Sequence, residues 1–176
     1  SSVSFKIREK LMLNPKEGTD FWKESKKNIA ASYSNIGNIL LTQSNLSEAL
    51  KNYQALLKIS QEIENQVYIA TAYNSIGLVN EKQHNYAEAL ENYSSSMKIM
   101  EKIGDKHGIA TSYVNIGSIY NKEYKFLEAE DMFKKALNID KEVGYKEGIK
   151  DDYLLLAELA EFQKKYKKAY EYHQLY

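Results

Sequence analysis

The sequence predicts an all-α fold of stacked antiparallel helix pairs, and three observations carry that prediction. The first is a phrase that returns at one interval: Tyr33-Ser34-Asn35-Ile36-Gly37, Tyr73-Asn74-Ser75-Ile76-Gly77, Tyr113-Val114-Asn115-Ile116-Gly117 and the looser Tyr153-Leu154-Leu155-Leu156-Ala157 stand 40 residues apart. Self-similarity at a fixed period of this size marks an array in which each unit is one supersecondary motif. The second is composition. One proline, Pro15, occurs among 176 residues, and Ala, Leu, Lys, Glu and Gln are abundant, which suits long uninterrupted helices. The third is spacing, since apolar residues in each unit recur at three and four positions along two separate stretches, the period of a helix face.

Residues 1–18 fall outside the register. Val3, Ile7 and Leu11 are spaced for a short amphipathic helix, and Asn14-Pro15-Lys16-Glu17-Gly18 reads as a turn because the proline ring biases Asn14 away from helical geometry. This segment is read as an N-terminal helix or cap, and 19–176 as the array, with repeats over about 29–66, 67–106, 107–146 and 147–176. Thr19 or Asp20 can cap a helix that runs through Phe21 and Trp22 into the first repeat. Ile29, Tyr33, Ile36 and Leu40 then mark the first helix of repeat one, Gln43-Ser44-Asn45 its turn, and Leu46, Ala49, Leu50, Tyr53, Leu57 and Ile63 its second helix. Asn45 with Glu48 three residues on reads as a capping box, and Asn85 with Glu88 repeats it, whereas Lys125 stands at that place in repeat three. Repeats two and three copy the plan without insertion. The fourth keeps Ile149, Tyr153, Leu156, Tyr166, Ala169 and Tyr170 and is expected to stop at Tyr176, halfway along its second helix.

Gly104 and Gly144 fall where a helix ends on a left-handed residue. Gly37, Gly77 and Gly117 lie inside helices, where glycine costs about 1 kcal/mol relative to alanine. A cost repeated at one phase implies a neighbouring helix too close to admit a side chain, with Ala49, Ala89, Ala129 and Ala169 at the matching phase of the second helix.

Twenty-four Lys plus Arg balance 24 Asp plus Glu, so no global field favours nucleic acid or an anionic membrane. The absence of cysteine removes disulfides and thiolate chemistry and leaves the compartment open. No apolar run approaches the ~20 residues that span a bilayer, so direct membrane insertion is not expected. His84, His107 and His173 stand singly, without the i, i+4 partner of a helical metal site. Phosphate loops, dinucleotide fingerprints and nucleophile elbows do not occur, and the carboxylates read as repeating surface residues. No catalysis, metal or cofactor is therefore expected. Lys164, Lys165, Lys167 and Lys168 form a basic run facing Glu161 and Glu171, read as a solvated end of the array.

The residues resemble the tetratricopeptide family, whose first helix carries an aromatic and then a Leu-Gly pair, and whose second carries aromatic, alanine and aromatic. Tyr73, Ile76-Gly77, Tyr86, Ala89 and Tyr93 stand on those places. Two features depart from the usual pattern: the period is 40, and the proline that normally ends the second helix is replaced by Gln61, Glu101 and Lys141. The longer variety is similar to the repeats of kinesin light chains and of bacterial sensor kinases and regulators. The resemblance implies a right-handed superhelix (α-solenoid) with the first helices lining the inner surface, and a partner that is a protein or an extended peptide.

On those first helices, positions one, five and eight after the repeated tyrosine share a face because the spacings are close to whole turns. They read Ser34, Asn38 and Leu41; Asn74, Leu78 and Glu81; Val114, Ser118 and Asn121; and Leu154, Glu158 and Glu161, with Asn35 and Asn115 beside them. Asparagine offers donor and acceptor together, so a ladder of them can hold a peptide backbone whatever its side chains, while Leu78, Val114 and Leu154 add apolar contact. The plain alternative is that these asparagines are solvated surface residues. The groove lacks the early inner Lys or Arg of the chaperone-tail clamp, where this chain has Ser34, Asn74 and Val114.

Tyr166, Tyr170, Tyr172 and Tyr176 are expected at an uncovered apolar end, which predicts end-to-end self-association or a mobile terminus. The preferred reading is a binding module from the sensory part of a larger bacterial signalling protein with its output domain beyond Tyr176. The alternative is a structural scaffold or oligomerisation array that works through its ends and convex face. In a third, the parent is itself an enzyme regulated by this array.

Overall fold

The computed structural model describes residues 19–175, and the expected helix and turn before Thr19 lie outside them. Eight helices occur among the described residues: α1 (Asp20–Thr42), α2 (Leu46–Glu62), α3 (Gln66–Lys82), α4 (Tyr86–Ile103), α5 (Lys106–Lys122), α6 (Phe126–Val143), α7 (Lys146–Phe162) and α8 (Tyr166–His173). No strand forms among them. None of these helices is long and apolar enough to cross a membrane. The chain divides into two compact units, Ser1–Ala72 and Tyr73–Tyr176.

In the first unit, Thr19 caps α1 as its sequence position suggests, its Oγ1 accepting from the Trp22 amide at 3.2 Å. Gly37 is buried, and a Cβ there would lie 2.5 Å from the Tyr53 ring. The close approach inferred from glycine is therefore real. The group that fills the space is the aromatic four residues beyond Ala49, which makes the glycine a socket for a ring. The Tyr53 hydroxyl donates to Asn38 Oδ1 at 2.7 Å.

The second unit repeats the socket twice. A Cβ at Gly77 would meet Tyr93 at 2.7 Å, and one at Gly117 would meet Phe133 at 2.7 Å. Around these rings lie two cores, one of Ala89, Tyr93, Ile116 and Ile119 and one of Ala129, Phe133, Leu137, Tyr153, Leu156 and Leu159. Each fully buried large side chain contributes roughly 1.5–3 kcal/mol, so the rings dominate what holds the hairpins together. Gly104 and Gly144 end α4 and α6 at φ 76° and 73°, the left-handed geometry expected of them.

The capping boxes are weaker than the sequence suggests. Asn45 Oδ1 accepts from Glu48 N at 3.4 Å, while Asn85 makes no side-chain cap bond. Asp105, by contrast, reaches the Gly108 amide at 3.0 Å. Glu48 turns to Lys51 at 2.7 Å and does not return to its cap. The basic run also differs from expectation. Lys168 reaches Glu130 on α6 at 2.6 Å, and Glu161 is held by His173 Nε2 at 3.0 Å. Burial opposes ionisation of Glu130, but hydrogen bonds from Lys134 and Lys168 hold its carboxyl below the usual range.

Candidate functional site

The expected binding face can be followed residue by residue. In the second unit, Asn115 Nδ2 on α5 donates to Asn74 Oδ1 on α3 at 2.7 Å. The two asparagines thus form one rung, with the Asn74 amide nitrogen and the Asn115 amide oxygen left without a protein partner among the described residues. One donor and one acceptor side by side is what an extended backbone requires of a wall. Leu78, Val114, Ser118, Asn121 and Leu154 are half-buried, and Glu158 and Glu161 are exposed.

Glu81 departs from the expected role. It is 9% exposed, its Oε2 accepts from the Tyr93 hydroxyl at 2.6 Å, and its Oε1 accepts from Lys122 at 2.5 Å. Both oxygens are committed inside the fold, so Glu81 braces the hairpin and offers nothing to a ligand. Burial, followed by the bond to Glu81, pushes the Tyr93 hydroxyl far above its ordinary range. In the first unit, Asn35 and Asn38 are exposed on α1 and Ser34 and Leu41 are half-buried, with Asn38 already holding Tyr53.

A cleft of about 190 Å³ lies against the N-terminal halves of α5 and α7. His107, Thr111 and Val114 line it from α5, at the 4-and-3 spacing of one helix stripe that continues to Ser118 and Asn121. Asp151, Asp152 and Leu155 line it from α7, and Asp140 from the last turn of α6. Asp140 and Asp152 are only 4% and 1% exposed, and each carboxyl acts on the other's ionisation. Asp140 Oδ1 and Asp152 Oδ2 are buried without a hydrogen-bond partner among the described residues. Burial first, and then the neighbouring Asp140 and Asp151 charges, push the Asp152 carboxyl up to about 7. Burial likewise raises Asp140, opposed by His107. The Tyr145 ring stands edge-on to His107 with centroids 4.9 Å apart.

Reading every carboxylate as a repeating surface residue therefore fails at Asp140 and Asp152. The missed signal was a break in the register. Asp140 occupies the phase of Ser60 and Met100, and Asp152 that of Ala72 and Ser112, so acids replace small or apolar residues. Tyr145 likewise takes the place of the capping residues Asn65 and Asp105, and makes no side-chain cap bond.

The family model of the tetratricopeptide repeat matches residues 28–102, 68–142 and 108–175. No curated protein matches the chain. Among solved structures, aspartyl phosphate phosphatase F from Bacillus subtilis superposes with TM-score 0.78 at 16% identity, over 88% of this chain and 43% of its own. A signal transduction ATPase with numerous domains and a tetratricopeptide repeat sensor, from Pyrococcus horikoshii, gives 0.75 at 22%, over 97% and 26%. BtubC (BKLC) from P. vanneervenii gives 0.71 at 18%, over 81% and 59%. The chain thus spans less than two thirds of each of these structures, and at such identities the likeness is one of fold.

Proposed function

Because the chain belongs to the tetratricopeptide repeat family over residues 28–175, a fold of protein-interaction modules, we propose that it binds an extended peptide segment of a partner along the first-helix face of its second unit. Binding, and not catalysis, is its chemistry. The observation that carries this is the Asn115–Asn74 rung, which keeps one unused donor and one unused acceptor beside Val114 and Leu78. That one similar structure bears its repeats as a sensor supports a place in the sensory region of a larger signalling protein.

A peptide-display selection tests the reading. Sequences enriched on the wild type should lose about tenfold or more in affinity on the combined Asn74→Ala and Asn115→Ala variant, whose melting should stay within about 1 kcal/mol of wild type because the rung is half-exposed. Equal affinity for both proteins removes the groove.

The scaffold reading draws on a different surface. Tyr124, Leu127 and Phe162 are 70%, 77% and 61% exposed, and the Phe162 ring lies 5.4 Å from Phe126 and 6.1 Å from Tyr124. Such an exposed apolar cluster suits protein contact, including the self-association expected of Tyr166 and Tyr170. Sedimentation of wild type against Leu127→Lys distinguishes the two: a concentration-dependent oligomer lost in the variant favours the scaffold.

A further inference from the structure

The acidic cleft is where this chain departs furthest from its own repeat. Nothing in the hairpin plan calls for carboxyls at residues 140 and 152, since Met100 and Ser112 fill the same phases one unit earlier. A buried carboxyl oxygen without a partner is costly, and here two lie together. Their environment also has a shape. The methyl and methylene groups of Ala110, Val114 and Leu155 form an apolar wall, and the Tyr145 ring stands at its edge. A volume of about 190 Å³ is below the ~300–1,000 Å³ of sites that enclose a whole small molecule. It suits one long side chain. Among the described residues no group of three or more potential ligands is arranged to hold a metal ion, which leaves an organic cation as the charge that would satisfy both orphan oxygens.

We propose that the Asp140–Asp152 cleft receives the ammonium or guanidinium head of a lysine or arginine side chain carried by the peptide that lies along α5 and α7. The inference rests on the groove reading and names what that groove selects. The stem of the basic residue lies on Val114 and Leu155, the head meets Asp140 Oδ1 and Asp152 Oδ2, and Tyr145 offers its ring to the cation. The cleft is continuous with the expected face, because His107, Thr111 and Val114 share the stripe of Ser118 and Asn121.

Entry of the cation changes the proton inventory. The empty pair holds a proton between its carboxyls, and the incoming charge expels it to the buffer, leaving both carboxyls ionised. The groups that face the pair are His107 from α5, Asp151 from α7 and Tyr145 with its neighbour Glu147 at the start of α7. His107 lies close enough to act on the Asp140 carboxyl. Because the pair's proton must leave, uptake strengthens as pH rises.

The test uses calorimetry in two buffers of different ionisation enthalpy, near neutral pH. The probes are butylammonium and blocked short peptides with a central lysine, arginine or norleucine in an otherwise identical selected sequence. The expected result is about tenfold tighter binding of the lysine or arginine peptide than of the norleucine one, with net proton release, in line with a charge-assisted bond. The double exchange Asp140→Met with Asp152→Ser, which rebuilds the preceding junction, should abolish both the preference and the proton release while remaining folded. Equal binding of basic and norleucine peptides overturns the cleft and leaves the groove standing. Uptake of butylammonium with proton release, with no peptide binding more tightly than that probe, upholds the cation site and overturns the groove. A preference that survives the double exchange, or no uptake of any probe, overturns the proposal.

Discussion

At the end of α4, the Met100 sulfur lies 2.6 Å from where a Gly108 Cβ would stand, and Ser112 closes its hydroxyl on the Gly108 carbonyl at 2.9 Å. Forty residues later the Asp140 carboxyl presses on Gly148 in the same way, and Asp152 occupies the place of the serine. The backbone is alike at both junctions, and so is the need for glycine where the helices meet. What differs is that the first junction is apolar with its one hydroxyl satisfied, while the second buries two acids with unpaired oxygens. The difference separates what the repeat needs to stack from what has been placed upon it.

The largest effect expected from breaking this contrast is in pH dependence. The folded Asp152 carboxyl lies near 7 against an ordinary value of 3.8, so folding takes up a proton as pH rises from about 4 to 7. Its stabilising influence is complete below the ordinary value and is lost as pH passes through the folded one. At pH 8 the pair should therefore weaken the fold by about 2–4 kcal/mol relative to pH 4. Asp152→Asn, whose amide can donate to Asp140, should flatten this slope and melt higher than wild type at pH 8. Denaturant melts across that range check it, and an unchanged slope in the variant excludes the pair as its source.

The glycines sharpen the same comparison at smaller scale. A Cβ on Gly148 would strike the Asp140 carboxyl and lie 2.5 Å from Cδ1 of the Tyr145 ring, whereas on Gly108 it would meet mainly the flexible thioether of Met100. Gly148→Ala should cost about 1–3 kcal/mol through overpacking. Gly108→Ala should stay within about 1 kcal/mol of wild type because helix propensity offsets the adjustment. Equal losses in thermal melts at the two sites would mean that the second junction is no tighter than the first.

The wall of the groove shows a further contrast, between residues that brace and residues left open. Glu81 holds the Tyr93 hydroxyl, while at the next unit Phe133 has no hydroxyl and the phase of Glu81 is taken by Asn121. Glu81→Ala strands the buried Tyr93 hydroxyl and should cost about 1–3 kcal/mol. Asn121→Ala, half-buried and without a hydrogen bond to a described residue, should change melting by less than about 0.5 kcal/mol.

These contrasts show which parts of the molecule were legible in its sequence. The hairpins were, because period, tyrosine phase and in-helix glycine all repeat, and repetition turns weak local signals into a strong joint one. The glycine sockets followed from the same logic, although the ring that fills them sits on the next turn of the second helix and only packing reveals it. The acid pair was hidden for the opposite reason. Asp140 and Asp152 each occur once, 12 residues apart on different helices, and nothing local distinguishes them from solvated carboxylates. Glu81 was misplaced because helical spacing tells which face a residue shares but not how deep it sits. A buried tyrosine hydroxyl on the facing helix drew it inward.

A modest effect of opposite sign lies at a helix end in the first unit. Glu64 follows α2 at φ 55°, the phase at which Gly104 and Gly144 follow α4 and α6 at φ 76° and 73°. All three ends close with the same pair of backbone bonds, Asn65 N to Ser60 O at 2.9 Å matching Asp105 N to Met100 O at 3.0 Å and Tyr145 N to Asp140 O at 2.9 Å. The closure is therefore equally complete, and only the residue that adopts the left-handed geometry differs. A side chain there crowds the following carbonyl by roughly 1–2 kcal/mol, against which glycine brings greater freedom to the unfolded chain. Glu64→Gly should accordingly stabilise by about 0.5–1 kcal/mol, seen as a higher denaturant midpoint with an unchanged slope. A fall in the midpoint would show that the glutamate is held by more than its backbone and that the three helix ends are not equivalent.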